Sequence, residues 1–509
     1  MKKIKSLLTI VLSLLLTVSC DDAIDIVQDG ELPIDLNNET DLAQYLRGQI
    51  YKNLDASSEI SLTAVFTDEV SIGVDNGGQD ISLHRFFLNP SDGYVSDIWL
   101  THYTVINGVN KLLKEAEDIP VTAAYSSTLA EARVLRAYSY LQLLTYFSTD
   151  MADDDALGVM LLDFVPELNT RLPRVSNGEI YALIEADLAY GLVNIKSNDN
   201  ASQAYKYVTK NLINSIYARM YTYRKNYVLA KQYAETVKSE SQLKLTLAKL
   251  DTPTDTDDDT STPDVDVRTF PYAEMWADAA QGEIIFALSR PAEGAWGNIA
   301  SAFYFNTTDR DGGAYLEMGR ILFNQLGAVS NDTRRKDFVD SSVRASAIYE
   351  TSVNYIKEDI LPINKYPGKG NSTPLRNDLK AFRLSEIYFI LAECAIFQGD
   401  LTTAAQYIKD VRQARLIEGT APTPTYASVT AALGDLLDER RKELCYEGFR
   451  YVDIKRLGSL AGKSVERHPT DDQIKSLPTT ISNTDYRFTL PIPQLEVSGN
   501  PTIKQNPGY

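Results

Sequence analysis

Of the imidazoles and thiols that serve metal ligation and nucleophilic catalysis, this 509-residue chain has only three histidines (His84, His102, His468) and three cysteines (Cys20, Cys394, Cys445). Their spacing suits neither task. There is no H-E-x-x-H, G-x-S-x-G, G-x-G-x-x-G or C-x-x-C run. A dense metal site and a disulfide framework are therefore not expected, and no cofactor is implied. Residues Gly458-Ser459-Leu460-Ala461-Gly462-Lys463-Ser464 imitate a phosphate loop. They have three residues between the glycines where about four are needed, and they follow a helical pattern instead of a strand. Asp and Glu total 69, yet nothing singles out two of them as a glycosidase pair. Glu386 and Glu393 lie one heptad apart on a helical stripe. They read as ion-pair partners of an arginine such as Arg383 or Arg412. Cys394 and Cys445 read as buried free thiols, with a bridge between them as the alternative in an oxidising compartment. His84, in the run ISLHRFF, reads as a loop residue and a candidate ligand contact, or else as a surface or capping residue.

What remains is the chemistry of binding. Tyrosine is in excess, at 30 against 16 Phe and 3 Trp, and it suits wet contact surfaces as well as cores. The formal net charge of −19 argues against broad nucleic-acid binding, which needs a basic face. The length allows about two to four domains or one large unit.

The chain opens MKKIKSLLTIVLSLLLTVSC. Lys2, Lys3 and Lys5 precede an apolar run, Leu7 to Leu16, that is too short to span a bilayer. Thr17-Val18-Ser19-Cys20 resembles a lipobox. Residues 1–19 are therefore expected to be a signal peptide and Cys20 the acylated first residue of the mature chain. An ordinary signal followed by a chance cysteine is the alternative. Two or more acyl chains would anchor the protein stably to a membrane without spanning it.

Helical periodicity dominates the rest. Trp99, Tyr103, Ile106, Asn110 and Leu113 share one helix face, and Val134, Ala137, Tyr138, Leu141 and Leu144 another. Leu384, Ile387, Tyr388, Leu391, Ala392 and Ala395 form the cleanest stripe. Gly399 should stop that helix and Asp400 cap the next. Residues 205–223 and 227–239 read as a helix pair joined by Arg224-Lys225-Asn226. This recurrence of helix, short turn and helix predicts a mostly α, tetratricopeptide-like scaffold. Between 241 and 380 the signal fades. Residues 251–266, DTPTDTDDDTSTPDVD, are expected to be an exposed or disordered loop, with a calcium site as the sharper alternative. Residues 283–290 read as a short strand. The Gly- and aromatic-rich stretch 292–318 reads as a long functional loop.

Four runs together resemble the SusD/RagB family of Bacteroidetes surface lipoproteins. They are Trp99…Tyr103…Ile106-Asn107…Asn110-Lys111; Ala130-Glu131-Ala132-Arg133-Val134-Leu135-Arg136-Ala137-Tyr138-Ser139-Tyr140; Arg383-Leu384-Ser385-Glu386-Ile387-Tyr388 with Ala392-Glu393 and Val411-Arg412; and Glu439-Arg440-Arg441-Lys442-Glu443-Leu444 with Glu447-Gly448-Phe449-Arg450 and Asp453-Ile454-Lys455-Arg456. The ending Pro491-Ile492-Pro493-Gln494…Gln505-Asn506-Pro507-Gly508-Tyr509 resembles the family's C-terminal signature. The resemblance implies one composite unit over residues 20–509. Its parts are an N-terminal repeat part (20–240), a loop-rich insertion (241–380) and a C-terminal part (381–509). It implies a non-enzymatic lipoprotein, anchored through Cys20 in the outer membrane and exposed at the cell surface. Such a protein binds an oligo- or polysaccharide and serves a TonB-dependent, SusC-like transporter. A peptide ligand, as in the RagB branch, is the runner-up, and a secreted hydrolase or a protein-only scaffold follow. The family places its ligand in irregular loops. That points to 74–94, with Asp75, Asn76, His84, Arg85 and Tyr94, and to 292–318, with Trp296, Tyr304, Asn306 and Arg310. Loop Trp296 is the leading candidate. Tyr94, Tyr304 and Tyr315 are the loop tyrosines expected as platforms, while Trp99 belongs to the core.

Overall fold

The computed structural model describes residues 36–196, 201–254, 265–290, 299–303, 314–369, 373–374 and 376–509. Its first part is built from helices. α1 (Glu39–Tyr45) runs on through a wider turn, Leu46–Tyr51, and is followed by α2 (Ser57–Phe66), strand β1 (Val70–Ile72) and the single turn α3 (Ile81–His84). The long helices α4 (Gly93–Glu115) and α5 (Ala123–Phe147) come next. Strands β2 (Leu157–Met160) and β3 (Arg174–Ser176) then form a small antiparallel ladder. It leads into α6 (Asn177–Asn194), α7 (Lys210–Tyr223) and α8 (Tyr227–Glu240). Each helix start has its chemical reason. Asp92, Thr122, Ser176, Thr209 and Asn226 accept otherwise orphaned N–H groups of α4 to α8, and Ser176 with Glu179 forms a full capping box. Consecutive helices pack on one another: α4 on α5, α5 on α6, and α7 on α8.

In the middle, β4 (Leu250–Thr254) and β5 (Val265–Thr269) pair antiparallel from Leu250↔Thr269 to Thr254↔Val265. This corrects the expectation of a plain loop over 251–266: β-branched Thr and Val support a ladder even among acidic neighbours. Residues 255–264, with the calcium alternative, lie outside the described residues. Helix α9 (Pro271–Trp276) precedes the wholly buried strand β6 (Ile284–Leu288). β7 (Leu316–Met318), α10 (Arg320–Leu326), α11 (Thr333–Phe338), α12 (Tyr355–Glu358), β8 (Gly368–Lys369) and β9 (Thr373–Pro374) lead to β10 (Leu379–Arg383). β10 pairs antiparallel with β6.

The last part holds α13 (Leu384–Phe397), α14 (Leu401–Ala414), α15 (Val429–Leu444), the short helices α16 (Arg450–Asp453) and α17 (Ser459–Ala461), and α18 (Gln494–Gly499). As the spacing predicts, Gly399 takes φ +80° after α13 and Asp400 accepts the Thr403 N–H at 3.0 Å. Helix α13 is buried on nearly every side and packs against α8, α14 and α15. The false phosphate loop is helical up to Ala461.

Buried arginines and carboxylates tie these helices together. Glu443 is the hub. It accepts from Arg383 (2.9 Å), Arg415 (2.8 Å), Arg334 (3.2 Å) and the Tyr272 hydroxyl (3.0 Å). Glu386 and Glu393 are indeed held by arginines, but not by Arg383 or Arg412. Glu386 meets Arg219 from α7 at 2.6 Å, and Glu393 meets Arg456 at 2.8 Å. Which arginine faces a carboxylate depends on helices far apart in sequence. Cys394 and Cys445 are both free and buried. No helix among the described residues is long and apolar enough to cross a membrane.

Candidate ligand-binding site

The stretches 74–94 and 292–318 lie far apart in sequence, yet a three-residue ladder, just before the first and at the end of the second, joins them. β1 pairs antiparallel with β7 through Val70↔Met318, Ser71↔Glu317 and Ile72↔Leu316. The join continues past the strands. The Gly73 N–H donates to the Tyr315 carbonyl at 3.0 Å. A Cβ on Gly73 would lie 2.4 Å from the Ala314 carbonyl oxygen, so this approach needs glycine. Asn76 is fully buried, and its Nδ2 donates to the carbonyls of Tyr315 (2.8 Å) and Gln79 (3.0 Å) while Oδ1 accepts the Gly78 N–H. Asn76 therefore rivets the loop and has no donor left to offer a ligand. Asp75 and Gln79 stand exposed on either side of it.

Asp80, in the left-handed region at φ 56°, accepts the Tyr94 hydroxyl at 3.1 Å. Tyr94 sits in the first turn of α4, positioned by the Asp92 cap. Tyr315 lies close enough to feel the Asp80 charge, but it is only 8% exposed. Burial pushes both phenols upward, so they remain neutral O–H donors. One turn further along α4, exposed Asp97 is pushed up by partial burial and by the charge of Asp55. Asp55 accepts from Arg290 at 2.6 Å, and Arg290 also donates to the Leu54 carbonyl at 3.0 Å. One side of the molecule thus carries Asp75, Asp80, Tyr94, Asp97 and the Asp55–Arg290 pair. The exposed carboxylates, with the lone pairs of the Tyr94 oxygen whose O–H is given to Asp80, are acceptors that suit a ligand rich in hydroxyls.

Trp296, Tyr304, Asn306, Arg310 and the acylation candidate Cys20 lie outside the described residues. The described residues that border them in the insertion are Arg290, 299–303 and Ala314, and the Phe303 carbonyl accepts the Tyr315 N–H at 3.0 Å. His84 differs from expectation. It ends helix α3, is 1% exposed, and lies 3.3 Å from the Val70 carbonyl and 3.5 Å from Asp472. Burial and the Arg467 charge push it down to about 4, so it is a neutral interior residue. The apolar neighbours Leu83 and Phe86 carry this turn inward. Arg85 forms a two-point pair with Asp472 at 3.0 and 2.9 Å, which keeps it on that carboxylate. Sequence reasoning missed Asp80, Asp97 and the Asp55–Arg290 pair. Only Asp97, one helical turn from Tyr94, left a usable signal.

Proton-holding carboxyl groups lie beneath the joined loops. Glu317 accepts the Leu361 N–H at 2.7 Å, and burial pushes it up to about 7. Burial, with Asp68 beside it, pushes Glu69 up to about 8. Asp471 accepts the Arg320 N–H at 3.0 Å and is pushed up by burial to about 7. In the unfolded chain such groups lose their protons near pH ~4. The folded state therefore binds more protons in between. Their contribution is full at low pH and is lost as pH rises through 7 to 8. The melting temperature is expected to fall between about pH 5 and about pH 8.5, and Glu69→Gln to flatten that fall. Thermal scans across this window check it; a level profile, unaltered by Glu69→Gln, would contradict it.

Comparison with known proteins gives the fold its relatives. The model of the SusD family matches residues 323–509. A second SusD-like family model, described as starch-binding associating with outer membrane, matches residues 22–222. The chain belongs to the SusD/RagB family. SusD-like protein P2 of Formosa agariphila is 23% identical over the full length of both chains. A SusD superfamily protein from Bacteroides thetaiotaomicron has the same fold, with TM-score 0.71 and 22% identity over 92% of this chain and 100% of that one. A SusD-like carbohydrate binding protein from Bacteroides vulgatus superposes with TM-score 0.68 and 19% identity over 92% and 97% of the two chains. SusD/RagB proteins are binders and not enzymes, and the N-terminal family description associates them with the outer membrane. The four family runs are mostly spent on the scaffold: Arg136 donates to Asn110 (2.6 Å) and Asp187 (2.8 Å), and Arg440 to Asp453 (2.7 Å).

Proposed function

We propose that this SusD-type protein captures an oligo- or polysaccharide on the face carrying Asp75, Asp80, Tyr94 and Asp97, and delivers it to a TonB-dependent, SusC-like transporter. The observation that carries the reading is the β1–β7 join, which holds the two loop stretches side by side. Neutral phenols and carboxylates there match sugar hydroxyls, and aromatic side chains match the apolar face of a pyranose ring. Trp296, Tyr304, Asn306 and Arg310 complete the ligand set in this reading. The relative from Bacteroides vulgatus described as carbohydrate binding supports a glycan. Capture involves no bond making or breaking. Weak individual contacts suffice, because a tether beside the transporter raises the effective concentration.

Cys20 supplies that tether as a lipid anchor on the cell surface. Cys20→Ala is expected to abolish acyl labelling and to release the protein from membranes, as fractionation after labelling would read. The ligand class is tested on immobilised panels of oligosaccharides and peptides. Retention on saccharides is the expected result. The carboxylates Asp55, Asp75, Asp80 and Asp97 make basic peptides the second reading, and retention on these alone would replace the first. Co-purification of a barrel transporter with the wild-type protein tests the delivery step.

A further inference from the structure

We propose that the cleft between the Leu46–Tyr51 turn and the end of β6 is a second saccharide subsite, and that it takes a sugar bearing a carboxylate or sulfate. The cleft measures about 360 Å³ and is lined by Arg47, Gly48, Tyr51, Lys52, Lys206, Tyr207, Leu288 and Ser289. That volume is in the range of small-ligand sites. Three of the eight lining residues are cations and none is an acid, in a chain of formal charge −19.

The cleft is built, not incidental. The Arg47 guanidinium lies over the rings of Tyr51 and Tyr207, 4.7 and 4.3 Å from their centroids. The two rings meet edge to face at 5.8 Å. Tyr51 donates its hydroxyl to Glu131 at 2.7 Å and accepts the Val208 N–H at 2.9 Å, which fixes both chain segments. Tyr207 is thereby held while the residue stays 44% exposed, a large exposure for an immobilised aromatic. Such a ring is a platform for the apolar face of a pyranose.

The counter-charges stand outside the lining. Glu131 grips Arg47 at 2.6 Å, and Asp378, 1% exposed, sits 3.6 Å from Lys206. Lys52 is exposed and makes no ion pair with any described residue. Its ammonium is the charge free to meet an anionic substituent, with Lys206 and the Ser289 hydroxyl beside it. The cleft also adjoins the site above. Ser289 precedes Arg290, and Lys52 precedes Asp55, the two residues paired on the flank of the first face. An oligosaccharide reaching from one to the other would present an acidic residue here.

This inference rests on a saccharide being the ligand, and the test keeps the two apart. Oligogalacturonates and sulfated oligosaccharides are titrated against their carboxyl-reduced and desulfated counterparts. At least one acidic probe is expected to bind more tightly than its neutral partner. Lys52→Ala is expected to weaken it about fivefold, as is raising sodium chloride from about 0.05 to about 0.5 M. Tyr207→Ala is expected to weaken it about tenfold. Neutral probes should be indifferent to Lys52→Ala. The subsite is overturned if no acidic probe outbinds its neutral partner, or if both substitutions leave acidic binding unchanged. Neutral saccharides that still bind would then leave the first site standing.

Discussion

Glu443→Gln lowers the unfolding free energy by about 3–5 kcal/mol in denaturant titrations. The side chain keeps its size but loses the charge that three buried guanidiniums share. Arg334, Arg383 and Arg415 all reach it, and all are at most 1% exposed in their side chains. Against the cost of burial, their charges hold the carboxyl far below the usual range. A neutral amide leaves that positive charge under-compensated where water cannot reach it, and its own N–H group faces cationic donors. The remaining acids, Glu283, Glu439 and Glu447, are already engaged. An exposed pair gives the contrast. Lys463→Ala removes a contact of 2.6 Å with Asp438 where both side chains are about a third exposed, and should cost less than about 1 kcal/mol. Equal effects of the two substitutions would show that the ionic core is not what holds the helices.

Gly73→Ala is the second large effect, and it separates fold from function. The added methyl would lie 2.4 Å from the Ala314 carbonyl oxygen and 3.1 Å from the Tyr315 carbonyl carbon. Backbone atoms on both sides must move, at a cost of about 1–3 kcal/mol. The movement falls on the Gly73–Tyr315 and Asn76–Tyr315 bonds that hold the two loops together. The helical scaffold lies elsewhere and should keep its circular dichroism. Saccharide affinity should fall at least about tenfold, since contacts shared between two loops need both in register. Undiminished affinity in a variant of reduced stability would separate the join from the binding site.

Much of the scaffold was legible in the residues. The stripes of α4, α5 and α13 have helical period, and Gly399 with Asp400 punctuates α13 and α14 as free-energy preferences dictate. What escaped has physical causes. β1 and β7 are three residues each, too short to show a period, and their pairing spans nearly half of the chain. The β4–β5 ladder hid in an acidic, threonine-rich run that resembles disorder by composition. Ion-pair partners such as Arg219–Glu386 depend on which helices face each other, which spacing along one helix does not encode. The candidate site was legible in part. Both loop stretches read as irregular from their composition, and Tyr94 and Asp75 stand on the joined face. The choice of residues within them followed side-chain type, and type does not reveal burial. His84 and Asn76 have ligand-like side chains, yet both are spent inside the protein.

The most direct measurement is calorimetric titration of a retained oligosaccharide into wild-type protein and Gly73→Ala, with chromatography of the ligand afterwards. Saturable binding by the wild type, an intact ligand after long incubation, and an affinity at least about tenfold lower in Gly73→Ala are the predicted results. Cleavage of the ligand, or equal affinity of the two proteins, would contradict a binding protein whose site is made by joining these loops.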